Sequence, residues 1–142
     1  MITRTASARY EGFGKDGKGH VSSQSGVLSD TNYGFNTRFE DGAGTNPEEL
    51  IAAAHAACFT MALSFALARE GFSGGTLETK AAVKLDKDGD GFSITRSDLT
   101  LSASVPGIDA DKFAEIAAGA KANCPVSKLL KAEITLTYTL SE

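Results

Sequence analysis

The sequence feature that most constrains the fold is an apolar segment that spans residues 50–68. Eight of its nineteen residues are alanine, and only His55, Thr60 and Ser64 are polar. The segment predicts a helix that is apolar on nearly every side. A helix of this kind is either buried all round or embedded in a membrane.

The residues that flank this segment predict where the helix begins and ends. Thr45 or Asn46 can cap the first turn, and Pro47 suits the first helical position, where a missing N–H costs nothing. Two glutamates follow at once, and carboxylates are favoured near a helix N-terminus. Gly71 suits a C-terminal cap. We therefore predict a helix of about 25 residues, roughly 37 Å long.

Burial in protein is the better explanation of this helix than a membrane. Alanine drives insertion only weakly, and neither a second apolar span nor a basic flank accompanies the segment. A chain of 142 residues can hardly surround a helix of this length by itself. We therefore expect a second copy of the chain to cover part of it, which predicts a homodimer.

Composition narrows the class of protein further. The length suits one domain over residues 1–142, large enough to bury a core. The formal charge of -4, with scattered basic residues, argues against nucleic acid or an anionic membrane as a partner. Residues 1–12 alternate polar and apolar side chains and lack the apolar stretch of a secretory signal. We expect a cytoplasmic protein.

The remaining segments predict strands and a second helix. Residues 2–13, 20–28 and 33–40 read as three strands, the first two joined by a glycine-rich turn at 14–19. Residues 77–88 and 92–105 alternate with period two around a DGDG turn. A helix capped by Asp109 follows and breaks before Pro125, and residues 132–140 form a last strand. The order βββ-α-ββ-α-β predicts an α+β fold with antiparallel sheets around the central helix.

Two motifs that imitate ligand sites fail on context. Gly12, Gly14 and Gly17 match G-x-G-x-x-G, but a strand follows them instead of the helix that a dinucleotide site needs. Residues 86–91 imitate the start of an EF-hand loop, yet Ser97 stands where its bidentate glutamate belongs, and strands flank the segment. We read both as turns.

The two cysteines are the candidates for chemistry. Two cysteines 66 positions apart are too few for a disulfide-stapled secreted domain. Cys58 lies in the apolar helix, where a cysteine commonly packs as a small hydrophobe. Reactivity needs a lowered pKa and hence a cationic neighbour; the candidates are His55, one turn earlier, and Arg38. Cys124 lies at the helix break before Pro125, either packed or serving as a resolving thiol.

The residues alone leave three other interpretations open. Cys58 with His55 as base suits acyl transfer. Both thiols can instead be packing residues of a non-catalytic dimer. A zinc site from Cys58, Cys124, His20 and His55 lacks the ligand spacing that zinc sites show.

Four segments of the chain resemble a known family. They are YGFNTRFE, GTNPEELIAAAHAACF, VPGID and NCPVSKLLKAEITLTY. Together they resemble the osmotically inducible protein C (OsmC) branch of the OsmC/Ohr family of thiol peroxidases, and the similarity spans essentially the whole chain. His55 is typical of this branch, whereas the sister branch carries its arginine in the region that here holds Lys15 and Lys18.

The resemblance implies a fold, a site and partners. The fold is an intertwined homodimer with its active sites at the subunit interface. Cys58 is the peroxidatic thiolate and Cys124 the resolving thiol, with Arg38 as the catalytic arginine and Glu48 as the residue that orients it. No metal and no bound organic cofactor is required. An external dithiol, of the dihydrolipoyl type in relatives, is the reductant.

The implied reaction follows ordinary thiol chemistry. The Cys58 thiolate attacks the O–O bond of a peroxide, an alcohol leaves, and a sulfenic acid forms. Cys124 condenses with it to a disulfide, which the external dithiol reduces by exchange. Apolar surroundings such as Phe35, Phe39 and the aliphatic helix face favour organic peroxides over hydrogen peroxide.

Overall fold

A computed structural model, which describes residues 1–141, confirms the α+β class. Within that range lie six strands and four α-helices. The elements are β1 (Ala6–Glu11), β2 (Lys18–Ser23), β3 (Thr31–Tyr33), α1 (Phe35–Phe39), α2 (Pro47–Arg69), β4 (Thr76–Asp88), β5 (Gly91–Ser104), α3 (Ala110–Asn123), α4 (Pro125–Leu129) and β6 (Glu133–Ser141). They divide between two compact units, Met1–Leu50 and the chain from Ile51 onward. A single domain over residues 1–142 stays a prediction.

The first unit contains an antiparallel sheet in the order β1-β2-β3. As predicted, β1 and β2 form a hairpin, with Glu11 opposite Lys18. Its connection holds one turn of 3-10 helix, Gly14–Asp16. Gly12, at φ 74°, adopts the left-handed conformation that side chains disfavour, so its role is that of a turn residue.

The prediction of a third strand over residues 33–40 is wrong beyond Tyr33. The chain turns instead into α1, Phe35–Phe39. The Gly34 N–H donates to Thr37 Oγ1 at 2.7 Å, and the Thr37 hydroxyl donates to the Gly34 carbonyl at 3.0 Å. These local bonds replace the ladder bonds of a strand. Arg38 therefore lies in the last turn of a short helix and not at a strand end.

The start and end of α2 agree with the prediction. Asn46 is the cap, because its Oδ1 accepts the Glu49 N–H at 2.8 Å. Pro47 begins the helix, which runs to Arg69. The Gly71 N–H then bonds the Ala68 carbonyl at 3.0 Å, with Gly71 at φ 93°.

The second unit contains a sheet in the order β4-β5-β6. The predicted hairpin of β4 and β5 is present, and their antiparallel register closes with Asp88 opposite Gly91. The expectation of wholly antiparallel sheets is wrong here, because β5 and β6 run parallel. The reason is the connection: α3 and α4 carry the chain back along the sheet, as a crossover between parallel strands requires.

The core of the second unit lies between α2, β5 and α3. Phe59, Leu63 and Leu67 recur every four residues on one side of α2 and are buried. They belong to one buried cluster with alternate residues of β5 and one side of α3. The other side of α2 is uncovered, since Met61 and Phe65 are 63% and 59% exposed.

By length and composition α2 could also cross a membrane, with a mean hydropathy of 1.9 over its most apolar window. Its stripe of buried residues, including Phe59 and Leu63, packs against a sheet and a second helix. That packing is typical of a helix in the core of a domain.

Candidate active site

The structure brings the two cysteines together, although 66 positions separate them in the sequence. Cys58 is half-buried near the middle of α2, and Cys124 is fully buried between α3 and α4. Both are free thiols, and each shifts the pKa of the other through a hydrogen bond between their side chains. The two thiols are therefore neighbours in the folded chain.

The break before Pro125 determines where Cys124 lies. The Cys124 N–H donates to the Ala120 carbonyl at 3.0 Å, so Cys124 is the C-terminal cap of α3. Pro125 is the first residue of α4, and Cys124 caps this helix: its Sγ accepts the Ser127 N–H at 3.5 Å. A sulfur in the position of a capping oxygen gains stabilisation of its thiolate form.

The two thiols compete for one negative charge. Burial raises the pKa of Cys58, and the hydrogen bond to Cys124 and the charge of Cys124 raise it further. Burial also acts to raise the pKa of Cys124, but hydrogen bonds from Cys58, Ser127 and Val126 outweigh it, so its pKa is lowered. The hydrogen bonds within the second unit therefore favour the thiolate form of Cys124 over that of Cys58.

Cys58 lies on the wall of a groove of about 630 Å³ between α2 and α3. The wall near Cys58 is apolar and includes Met61, Phe65 and Ile116. Charged side chains line the other end, where Lys112 pairs with Glu70 at 2.6 Å. The thiol is thus accessible from a space that suits an apolar molecule.

His55 is a satisfied core residue. Its Nδ1 lies 2.6 Å from Ser97 Oγ and its Nε2 lies 2.8 Å from Ser127 Oγ. Burial lowers its pKa, so the ring is neutral and both nitrogens are engaged by hydroxyl groups. His55 is therefore neither a cation beside Cys58 nor a free base.

Sequence analysis missed Ser97 and Ser127 as partners of this histidine. A signal for Ser97 was present, because it stands two residues before Leu99 on the buried side of β5. Ser127 stands three residues after Cys124, the spacing of a residue whose N–H is capped. Their meeting on His55 needed the tertiary structure.

Arg38 and Glu48 meet within the first unit. Arg38 Nε and Nη2 donate to the two carboxylate oxygens of Glu48 at 3.1 and 3.0 Å. The guanidinium also lies over the Phe39 ring, 5.4 Å from its centroid. Glu48 is nearly buried, so this two-point pair holds the plane of the guanidinium in one orientation.

The candidate zinc ligands are not gathered at one site. His20 lies in the first unit, with Nδ1 3.4 Å from the Asp30 carbonyl oxygen, and both nitrogens of His55 are bonded to serines. Among residues 1–141, no group of three or more histidine, cysteine, aspartate or glutamate side chains is placed to hold a metal ion.

Comparison with known proteins identifies the family. The family model described as OsmC-like protein matches residues 40–139. The chain belongs to the OsmC family. Over 139 residues, 98% of this chain and 97% of the relative, it is 57% identical to peroxiredoxin OsmC of Escherichia coli strain K12. The resemblance drawn from the sequence motifs is thereby confirmed.

The sister branch of the OsmC family is similar as well. The chain is 31% identical to organic hydroperoxide resistance protein OhrB of Bacillus subtilis strain 168, over 86% of this chain and 88% of the relative. The crystal structure of that OhrB superimposes with a TM-score of 0.71 at 32% identity, covering 99% and 98% of the two chains. Glu48, Cys58 and Cys124 lie inside the segment matched by the OsmC model, and Arg38 lies two residues before it.

Proposed function

We propose that this chain, a thiol-dependent peroxidase of the OsmC family, reduces organic hydroperoxides with Cys58 as the peroxidatic residue and Cys124 as the resolving residue. The observation that carries the proposal is the pairing of the two thiols, each of which shifts the pKa of the other through a hydrogen bond. The Cys58 thiol lines an open groove, and the Cys124 thiol is fully buried. The accessible sulfur of Cys58 reacts with the substrate. The buried sulfur of Cys124 then reacts with the oxidised Cys58.

The chemistry proceeds in two steps. The Cys58 thiolate attacks one peroxide oxygen, the O–O bond breaks, and the alkoxide leaves to become an alcohol, so that Cys58 becomes a sulfenic acid. The Cys124 sulfur then attacks Cys58, the S–O bond breaks, and water leaves. An external dithiol, of the dihydrolipoyl type, reduces the resulting disulfide by exchange. The electrons come from that dithiol, without a bound metal or organic cofactor.

The first step needs the negative charge on Cys58, whereas the surroundings in the second unit favour Cys124. A cation near Cys58 reverses this preference. We assign this role to Arg38, from the same chain or from the second copy, with Glu48 holding its orientation. The two-point pair with Glu48 supports the assignment, as does the family resemblance. His55 cannot take this role because burial keeps it neutral.

Acyl transfer is the weaker candidate. A cysteine nucleophile of that class is activated by an adjacent base. The nitrogens of His55 are instead occupied by Ser97 and Ser127.

The groove supports organic hydroperoxides as the substrate class. Met61, Phe65 and Ile116 line it beside Cys58, and transfer of one methylene from water to such a wall contributes about 0.8 kcal/mol. We expect kcat/KM for cumene hydroperoxide to exceed that for hydrogen peroxide about ten-fold or more, since two methylenes suffice for that factor. Equal values would contradict the assignment.

We also infer the oligomeric state and the cellular location of the protein. The exposed side of α2 around Met61 and Phe65 suits a second copy of the chain, so the active unit is a homodimer with its sites at the interface. The protein acts in the cytoplasm, where a reducing environment keeps both thiols free.

Intact mass spectrometry tests the two cysteine roles. Reduced protein is treated with one equivalent of cumene hydroperoxide, beside Cys124→Ser and Cys58→Ser. We expect the wild type to lose two hydrogens and Cys124→Ser to gain one oxygen on Cys58. Cys58→Ser should keep its mass. Unchanged masses with free thiols in the wild type would refute the peroxidatic role.

A further inference from the structure

A series of buried, hydrogen-bonded polar groups extends from β5 through α2 to Cys124. His55 is completely buried and joins Ser97, at 2.6 Å, to Ser127, at 2.8 Å. Ser127 in turn contacts Cys124: its N–H donates to Sγ at 3.5 Å, and its hydroxyl, the partner of His55 Nε2, lowers the pKa of Cys124 through a hydrogen bond.

The contact between Ser127 and Cys124 determines which group donates and which group accepts at each hydrogen bond of this series. A serine hydroxyl has one proton, so Ser127 can donate to Cys124 only if it accepts from His55 Nε2–H. A neutral imidazole with its proton on Nε2 accepts at Nδ1, and Ser97 is the donor there. Every proton of the chain then points towards the Cys124 sulfur.

We propose that Ser97, His55 and Ser127 act as positioning residues for the resolving step, holding Cys124 Sγ ready to attack the Cys58 sulfenic acid. This inference rests on the proposed function. In the reduced pair, Cys58 is one of the donors to Cys124. Ionisation of Cys58, which precedes its attack on the peroxide, removes that S–H donor, whereas the N–H and hydroxyl donors of Ser127 remain.

In the resolving step, the Ser127 donors act on the sulfur that forms the new bond. The electron pair of Cys124 Sγ forms the S–S bond while the S–O bond of the sulfenic acid breaks. Hydroxide leaves and becomes water with a proton released by Cys124 or taken from solvent. Hydrogen bonds from Ser127 favour the thiolate of Cys124 and limit its rotation, so they accelerate this step. They do nothing for attack on the peroxide, which uses the other sulfur.

Ser127→Ala is the direct test. This change keeps the backbone donor and removes the hydroxyl. In a single turnover with one equivalent of cumene hydroperoxide, we expect Cys58 oxidation to be as fast as in the wild type, or faster. Disulfide closure, followed by acid quench and intact mass, should slow by about ten-fold or more, as expected for one hydrogen bond to a charged group.

Ser97→Ala tests the relay from a distance. Ser97 bonds His55 Nδ1, and its loss frees the imidazole to change tautomer. We expect closure to slow by a smaller factor, about two- to three-fold. Thr60→Val is the matched control, because it removes another partly buried bond from α2 to the sheet, the 2.6 Å contact with Thr79, without reaching Cys124. Its closure rate should equal that of the wild type.

The disulfide potential gives a second readout that general damage to the fold would not move. Ser127→Ala destabilises the reduced pair, so its potential should become more negative by about 30 mV for a ten-fold change in the equilibrium constant. Closure at the wild-type rate in Ser127→Ala, or equal slowing of Cys58 oxidation and closure, would overturn the inference. Failure of the wild type to oxidise Cys58 at all would overturn the proposed function, and this inference with it.

Discussion

At the residue scale, the thiols of Cys58 and Cys124 have pKa values shifted in opposite directions, because Cys124 receives more hydrogen bonds than Cys58. The N-terminal amides of α4 act on Cys124, whereas burial acts against the Cys58 thiolate. Since the charge of each thiol acts on the other, a cation closer to Cys58 than to Cys124 favours the thiolate of Cys58. The proposed first step therefore requires a cation beside Cys58.

Arg38→Ala tests this requirement. We expect kcat/KM for cumene hydroperoxide to fall about 100-fold, the usual effect of losing one preorganised charged donor, and alkylation of Cys58 by iodoacetamide to slow in parallel. Stopped-flow kinetics at pH 7 measures the first and a timed quench the second. Arg9→Ala, which removes an exposed cation of β1 that pairs with Glu11 and Asp30, is the control. Wild-type kinetics in Arg38→Ala would remove Arg38 from the mechanism.

His55 gives a pH dependence of stability. Its native pKa is lowered by burial from the ordinary value of 6.5, so below pH 6.5 the unfolded chain binds a proton that the native protein refuses. The free energy of unfolding should therefore fall as pH drops below about 6.5, by at most about 1.4 kcal/mol per pH unit, until the native pKa is reached.

The variant His55→Gln isolates that contribution. Chemical denaturation between pH 7.5 and 5 should give a flatter curve for His55→Gln than for the wild type, whatever their difference at pH 7.5. Parallel curves for the two proteins would show that His55 is not the group responsible.

Among the elements, α2 and α1 show two kinds of local control. The cap, the proline and the acidic first turn act in α2 before any tertiary contact forms. In α1 the hydrogen bonds between Thr37 and Gly34 stabilise a helix, although the composition of the segment favours a strand. A helix of five residues is too short for apolar periodicity to reveal it.

Asn46 is the point at which the start of α2 can be tested. It caps the Glu49 N–H and donates through Nδ2 to the Thr37 carbonyl at 3.0 Å. Asn46→Ala should lower the free energy of unfolding by about 1 kcal/mol, measured by urea denaturation. Asn46→Asp keeps the capping acceptor, and should therefore lose less than Asn46→Ala. Equal losses would place the effect in the Thr37 bond instead of the cap.

At the scale of the whole molecule, the most prominent feature is the side of α2 whose large apolar side chains remain exposed. Phe65 is 59% exposed in the single chain, beside the groove that holds Cys58. Large apolar side chains that remain exposed next to a candidate site are typical of an interface. A homodimer would cover them and enclose the site from water.

Phe65→Glu tests the dimer. A charge at this position should be costly to bury in an interface, so sedimentation at micromolar concentration should show a shift from dimer to monomer with loss of peroxidase activity. Phe92→Glu, at a side chain 53% exposed on β5, is the matched control and should stay dimeric. A dimeric and active Phe65→Glu variant would exclude this side of α2 from the interface.

The sequence by itself determined the elements whose causes are local. The capped apolar helix, the two glycine hairpins, the break at Pro125 and the motifs shared with the OsmC family all depend on neighbouring residues, so they could be predicted. The roles of Arg38 and Glu48 came from resemblance and remain proposals.

Only the tertiary structure decided which distant residues meet. The parallel pairing of β5 with β6 follows from the path of the crossover, and a period-two pattern is the same for either direction. The placement of charge between Cys58 and Cys124 and the engagement of His55 by two serines depend on burial and on donors far away in sequence. Such through-space effects change pKa values and orientations without leaving a local pattern in the chain.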